Sequence, residues 1–339
     1  MNRLYLRTTI ALVVALACPA IAAAAALPNH ATALEDAQAA LSRGDYAGAY
    51  AEYTRHAAGN PLAQFTLGLF HQQGWGRPVD GAAACRWFGK AARAAIPTAR
   101  HLSGDCIMQA AVGKDQAARD AAAQEALHLY MGAAQGGHLV SLCSAGALHL
   151  RGEGVPRDVA HGLQLCAQAA QADSTPAMLQ LAHWYREDRD VAQDLAAARY
   201  WYGQAAERGS NEARYQLGIL LAQGQGGAPD AGAALAHMEM AAGQGYVQAY
   251  LPLATLYAHK APELDTGAPS AATLAKVYMW SSAALARLSD PALRGEAQRL
   301  RALALAVMPS TWPQDLDKQV SAYLENVPAQ GAAGSRKAP

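Results

Sequence analysis

The chain has 339 residues, 27 of them basic and 27 acidic, so its formal charge at neutral pH is zero. This balance lacks the basic footprint of nucleic-acid recognition and the polybasic face of a membrane-surface protein. With 52% hydrophobic and 16% charged residues the chain is also too apolar to remain disordered. Aromatic residues make up only 7%, and much of the apolar count is alanine, the best helix former. The composition therefore predicts an all-helical protein with close helix–helix contacts.

The first elements in chain order form an export signal over residues 1–26. Asn2, Arg3 and Arg7 give a polar, basic start, Ile10 to Ala17 an apolar stretch, and Ala22 to Ala26 several A-x-A cleavage sites. The separated arginines exclude a twin-arginine signal. The alternatives are an uncleaved membrane anchor, for which the stretch is short, and a lipoprotein acylated at Cys18, before which Ala15 and Leu16 fit poorly. No later stretch of about 20 apolar, charge-free residues reads as a transmembrane helix. The expected location is the periplasm or the exterior, with no membrane span after cleavage.

Residues 30–60 read as an opening helical hairpin, Ala33 to Leu41 and then a second helix to Ala58, with Gly44-Asp45-Tyr46 at its turn. Beyond it the chain repeats itself. Small-residue pairs stand at Leu67-Gly68, Ala145-Gly146, Leu181-Ala182, Leu217-Gly218 and Leu253-Ala254, the last four spaced by 36 residues. A worn copy at Leu102-Ser103 is followed by a gap of 43, so that repeat carries about seven extra residues. Gly74-x-Gly76, Gly152-x-Gly154 and Gly224-x-Gly226 keep register, and the copy between the last two has Asp188 and Asp190 in their place. Asp80, Asp158, Asp194 and Asp230 follow at a fixed offset, then Trp87-Phe88 or Trp201-Tyr202, then Ala-Ala pairs. Helical spacing of Ala213, Leu217 and Leu220 marks a first helix. The G-x-G ends it, the Asp caps the next, and the aromatic and Ala-Ala slots form that second helix's buried face. Each unit is a hairpin that buries its apolar face only by stacking on its neighbours. The stack runs over 63–290 in about six repeats. A longer loop, Ala258 to Ala272, interrupts the last repeat, capping helices follow over 291–327 (one of them Arg294 to Met308), and a disordered tail over 328–339.

The pattern A-x-x-x-L-G, G-x-G, D, W-Y, A-A, G resembles the Sel-1-like repeat family, a relative of tetratricopeptide repeats. Ala63 to Ala95 and Ala213 to Gly245 match it best. Val277 to Ala284 looks like the last repeat of such proteins. The resemblance implies a right-handed superhelical solenoid of stacked helical hairpins whose role is to hold other proteins.

The predicted mature chain keeps four cysteines, Cys85, Cys106, Cys143 and Cys166, and three pairings are possible. Repeat register favours Cys143–Cys166, which staples one hairpin, and Cys85–Cys106 between successive helices. Four buried free thiols are the alternative. No C-x-x-C, G-x-S-x-G, H-E-x-x-H, G-x-x-x-x-G-K or S-x-x-K occurs. His71 and His149 share a slot with Tyr185 and Tyr257, which marks them as packing residues. Trp184 in His183-Trp184-Tyr185 falls on the core face. No catalytic residue, cofactor or metal is expected.

What remains is a surface. The slots just before the repeat leucine and seven residues later hold Thr66 and Gln73, Ser144 and Arg151, Gln180 and Glu187, Gln216 and Gln223. This stripe of hydrogen-bonding side chains suits a peptide backbone, an extended protein segment or a glycan in a groove. The expected function is a non-enzymatic periplasmic scaffold for a protein partner in an envelope or secretion assembly. Two alternatives come from the resemblance: a cell-wall or β-lactam-binding enzyme, as cysteine-rich relatives imply, and a glycan-binding scaffold for polysaccharide export.

Overall fold

A computed structural model describes residues 30–187, 189–259 and 269–330. The expected signal peptide, Cys18, Asp188 and residues 331–339 of the tail lie outside the described residues. The chain divides into two compact units between Ser103 and Gly104. Both consist of antiparallel helical hairpins, and no strand occurs among the described residues beyond one isolated bridge.

The first unit contains α1 (Glu35–Ser42), α2 (Tyr46–His56), α3 (Pro61–Gln73), α4 (Gly81–Ala92) and the start of α5 (Pro97–Ala110). Asp45 accepts from the Gly48 N–H at 2.9 Å and starts α2. Asn60 accepts from Leu62 and Ala63 and, with Pro61 in the first turn, starts α3. Leu67, Phe70, Tyr53 and Phe88 fill the interior.

The second unit begins at Gly104, in the middle of α5. It continues through α6 (Gln116–Gln135), α7 (Ser141–Arg151), α8 (Val159–Gln171), α9 (Thr175–Arg186), α10 (Leu195–Glu207), α11 (Asn211–Gln223) and α12 (Ala231–Gly243). A 3₁₀ turn (Val247–Ala249) leads to α13 (Tyr250–Ala258), followed by α14 (Ala271–Arg287), α15 (Pro291–Val307) and α16 (Trp312–Asn326). The predicted seven-residue insertion is absorbed as helix: α6 has 20 residues where α8, α10 and α12 have 13. Seven residues are two helical turns, so the register of the stack survives.

The aspartates act as the spacing predicts. Asp158, Asp194 and Asp230 each accept from the N–H three residues on at 2.9 Å, and Asp80 does the same in the first unit. Each such cap contributes about 1 kcal/mol. At Gly226, in the left-handed region at φ 75°, a Cβ would stand 2.2 Å from the Leu195 carbonyl oxygen. The second glycine is therefore required by the approach of one turn to the preceding hairpin. In the repeat that lacks these glycines α9 ends at Arg186, and Gln193 donates to the Arg186 carbonyl at 2.9 Å.

The core of the second unit is a row of small residues, Ala169-Ala170, Ala205-Ala206 and Ala241-Ala242, punctuated by fully buried Tyr202, Tyr250 and Tyr278. The end of the chain returns onto this row. Tyr278 donates to Asp317 on α16 at 2.8 Å, and the Tyr323 hydroxyl meets Tyr250 at 2.9 Å and donates to the Ala242 carbonyl. Gln330 then pairs with the turn before α13, donating to Gly245 O at 2.7 Å and accepting from Val247 N–H at 3.1 Å. No helix among the described residues is long and apolar enough to cross a membrane.

Candidate functional site

The first helices of the hairpins carry the predicted stripe, and the structure treats its members differently. Thr66, in the first unit, turns its hydroxyl back to the Leu62 carbonyl at 2.9 Å, and Gln73 is exposed at the end of α3. On α7, Ser144 is half-buried and Arg151 pairs with Glu153 at 3.0 Å. Gln180 is half-buried on α9. Arg186, which the sequence reading passed over, joins two others: it donates to Gln216 at 2.5 Å and lies 3.7 Å from Glu187. Gln223 lines a cavity.

That cavity, about 560 Å³, lies among α11, α13 and the start of α15. Tyr215, Ile219 and Ala222 come from α11, and Leu251, Pro252, Thr255 and Leu256 from α13. Met238 and Gln248 complete these walls, and Leu288, Leu293 and Glu296 close one end. The volume is that of a typical ligand cleft, and the mix of apolar walls with a few amide, hydroxyl and carboxylate groups suits side chains and backbone of a bound segment. Its lining slots are set by the repeat: Tyr215 and Leu251 are one register apart, as are Ile219 and Thr255.

Sequence reasoning missed these residues because apolar side chains on a first helix read as core. The available signal was variation within one slot, which holds Cys143, Leu179, Tyr215 and Leu251 in successive repeats. The closing wall comes from outside the repeat register altogether.

Between α9 and α11, His183 Nε2 stands 3.3 Å from Glu212 Oε1. The hydrogen bond from His183, and the charge of Arg186 nearby, hold the Glu212 carboxyl below its ordinary value of 4.5 against the opposing effect of burial. Tyr215 meets Tyr246 with ring centroids 5.5 Å apart, and burial raises the pKa of both phenols. Trp184 is half-buried and packs against the core of the second unit. His149 meets His161 edge to face at 4.6 Å. Among the described residues no group of three His, Cys, Asp or Glu side chains could hold a metal ion.

The slot that lines the cavity in α11 holds a covalent staple in α7, where Cys143 is bonded to Cys166 on α8. Cys85 and Cys106 are each disulfide-bonded as well. Disulfides of this kind, with no membrane-crossing helix among the described residues, are compatible with an extracellular or periplasmic protein.

Comparison with known proteins places the repeats. The Sel1 repeat profile matches residues 61–95, 140–174, 175–210 and 211–246. Among solved structures, a Sel1 repeat protein from Oxalobacter formigenes is 25% identical, with a TM-score of 0.55 over 81% of this chain and 100% of that one. A protective antigen of uropathogenic Escherichia coli with an SLR fold is 20% identical, with a TM-score of 0.56 over 86% of this chain. The match spans 62% of that antigen's length. No curated protein matches the sequence.

Proposed function

We propose that this chain, which belongs to the Sel1-repeat family, is a non-enzymatic periplasmic adaptor that holds a segment of a partner protein in the groove between α11, α13 and α15. The observation that carries this reading is the cavity of about 560 Å³, walled by side chains on successive first helices. Gln223 lines the cavity and offers a hydrogen bond to a peptide backbone, and Gln180, Glu187 and Gln216 hold the corresponding slots at α9 and α11. The signal-like residues 1–26 and the oxidised cysteines support export to the periplasm.

The test is site-specific photocrosslinking in the cell envelope. A crosslinker at Gln223 is expected to capture one stoichiometric protein, a crosslinker at Glu207 is expected to capture none, and Ile219→Asp is expected to abolish the capture. Equal capture from both positions, or capture that survives Ile219→Asp in a folded variant, would overturn the reading.

A further inference from the structure

We propose that the segment taken by this groove is an apolar stretch carrying one lysine or arginine, whose cation meets Glu296. This rests on the groove reading above and adds the chemistry of the occupant.

Among the described residues, Glu296 is the single charged one lining the cavity; the other polar groups there, on Tyr215, Gln223, Gln248 and Thr255, are neutral. The cations nearest to it in sequence on α15 are engaged elsewhere or stand apart. Arg294 donates to the carbonyls of Leu285 and Leu288. Arg301 donates to the Tyr278 hydroxyl at 2.8 Å and lies 3.9 Å from Asp317. Arg299 forms no ion pair with Glu296, and Glu296 has no ion-pair partner among the described residues. When an apolar segment covers the groove, this half-buried carboxylate loses water. A carboxylate desolvated without a counter-charge is costly, so the occupant that binds best supplies a cation there, and an anionic occupant is repelled.

The shape of the surface points to a chain rather than a small cation. Glu296, on the wall of the groove, shares a face of α15 with Leu303 and Val307, which are 63% and 62% exposed. That face runs on for about 16 Å beyond the cavity at 1.5 Å per residue, a length matched by five or so extended residues.

The probes are three fluorescein-labelled peptide sets built on one leucine–serine framework of about nine residues, with a single Lys, Gln or Glu moved through every position. They are read by fluorescence anisotropy against the full mature protein. The best Lys peptide is expected to bind about fivefold more tightly than its Gln counterpart and the Glu peptide more weakly still. The preference is expected to shrink between about 50 and 500 mM salt. Glu296→Gln is expected to erase the preference and Glu296→Lys to invert it, with apolar binding retained in both. Binding that Ile219→Asp abolishes but that shows no charge preference would overturn this inference and leave the groove reading standing. A preference unchanged in Glu296→Gln would also overturn it. Failure of all three sets to bind, or binding indifferent to Ile219→Asp, would overturn both.

Discussion

Two parts of the second unit use the same repeat to opposite ends. In the α7–α8 hairpin, Gly146 and Gly162 bring the helices into backbone contact: a Cβ on Gly146 would lie 2.4 Å from Gly162 O, and one on Gly162 2.6 Å from Gly146 O. Cys143 then bonds to Cys166. Two registers later, Gly218 meets only the Met238 side chain at comparable distance, and the slot of Cys143 is filled by Tyr215, which faces the cavity. The same position on a first helix thus carries a staple in one hairpin and lines a cavity in another. A repeat protein can place a binding site at one station of its stack by changing two side chains and leaving the frame alone.

The contrast is most directly broken at the glycines. Gly146→Leu pushes against backbone that cannot give way and is expected to lower stability by about 3 kcal/mol or more in urea unfolding. Gly218→Leu meets a flexible methionine and is expected to lose about half as much; equal losses would mean that the two hairpins are packed alike. Next in size is the staple. Replacing Cys143 and Cys166 by alanine opens a link across 23 residues and is expected to cost about 2–3 kcal/mol. Peptide affinity in the groove should not change, and a weakened groove would show that the sealed hairpin supports the open one.

A smaller effect has the opposite sign. The Tyr202 hydroxyl is buried with no hydrogen-bond partner among the described residues, and burial pushes its pKa up. Tyr202→Phe removes that orphaned group and is expected to stabilise the protein by about 1 kcal/mol, measured as a raised urea midpoint. The smallest expected change concerns Glu212. Because His183 holds its folded pKa below 4.5, this pair contributes stability that is present above that value and lost as pH falls through the folded pKa. The stability gap between wild type and His183→Ala should therefore narrow from pH 7 to pH 3, and an NMR titration should place the Glu212 carboxyl higher in the variant. A gap independent of pH would remove the ion pair from the account of this face.

The repeat frame was legible because its signals are local and recur: Asp158, Asp194 and Asp230 cap helices wherever they stand, and the pairs Ala91-Ala92, Ala169-Ala170, Ala205-Ala206 and Ala241-Ala242 are buried. The insertion was legible as a length but not as a form, since only the helical continuity of Gln116–Gln135 shows that two turns were added. The groove was not legible. Its floor, Ile219 and Leu251, carries the same apolar chemistry as the core, and its closing wall, Leu293 and Glu296, comes from a helix outside the repeat whose position depends on tertiary packing. Arg186 was hidden for a similar reason, because its reach to Gln216 spans two hairpins.

Gln330 also bears on when the molecule can be finished. The hydrogen bonds of Tyr323 to Ala242 and of Gln330 to Gly245 and Val247 join groups about 80 residues apart in the chain. A polypeptide emerging from its amino end presents the turn before α13 long before the segment that closes it exists. The turn before α13 therefore stays unpaired until the segment around Tyr323 and Gln330 is available, and a cut ahead of Tyr323 removes the contacts that close it.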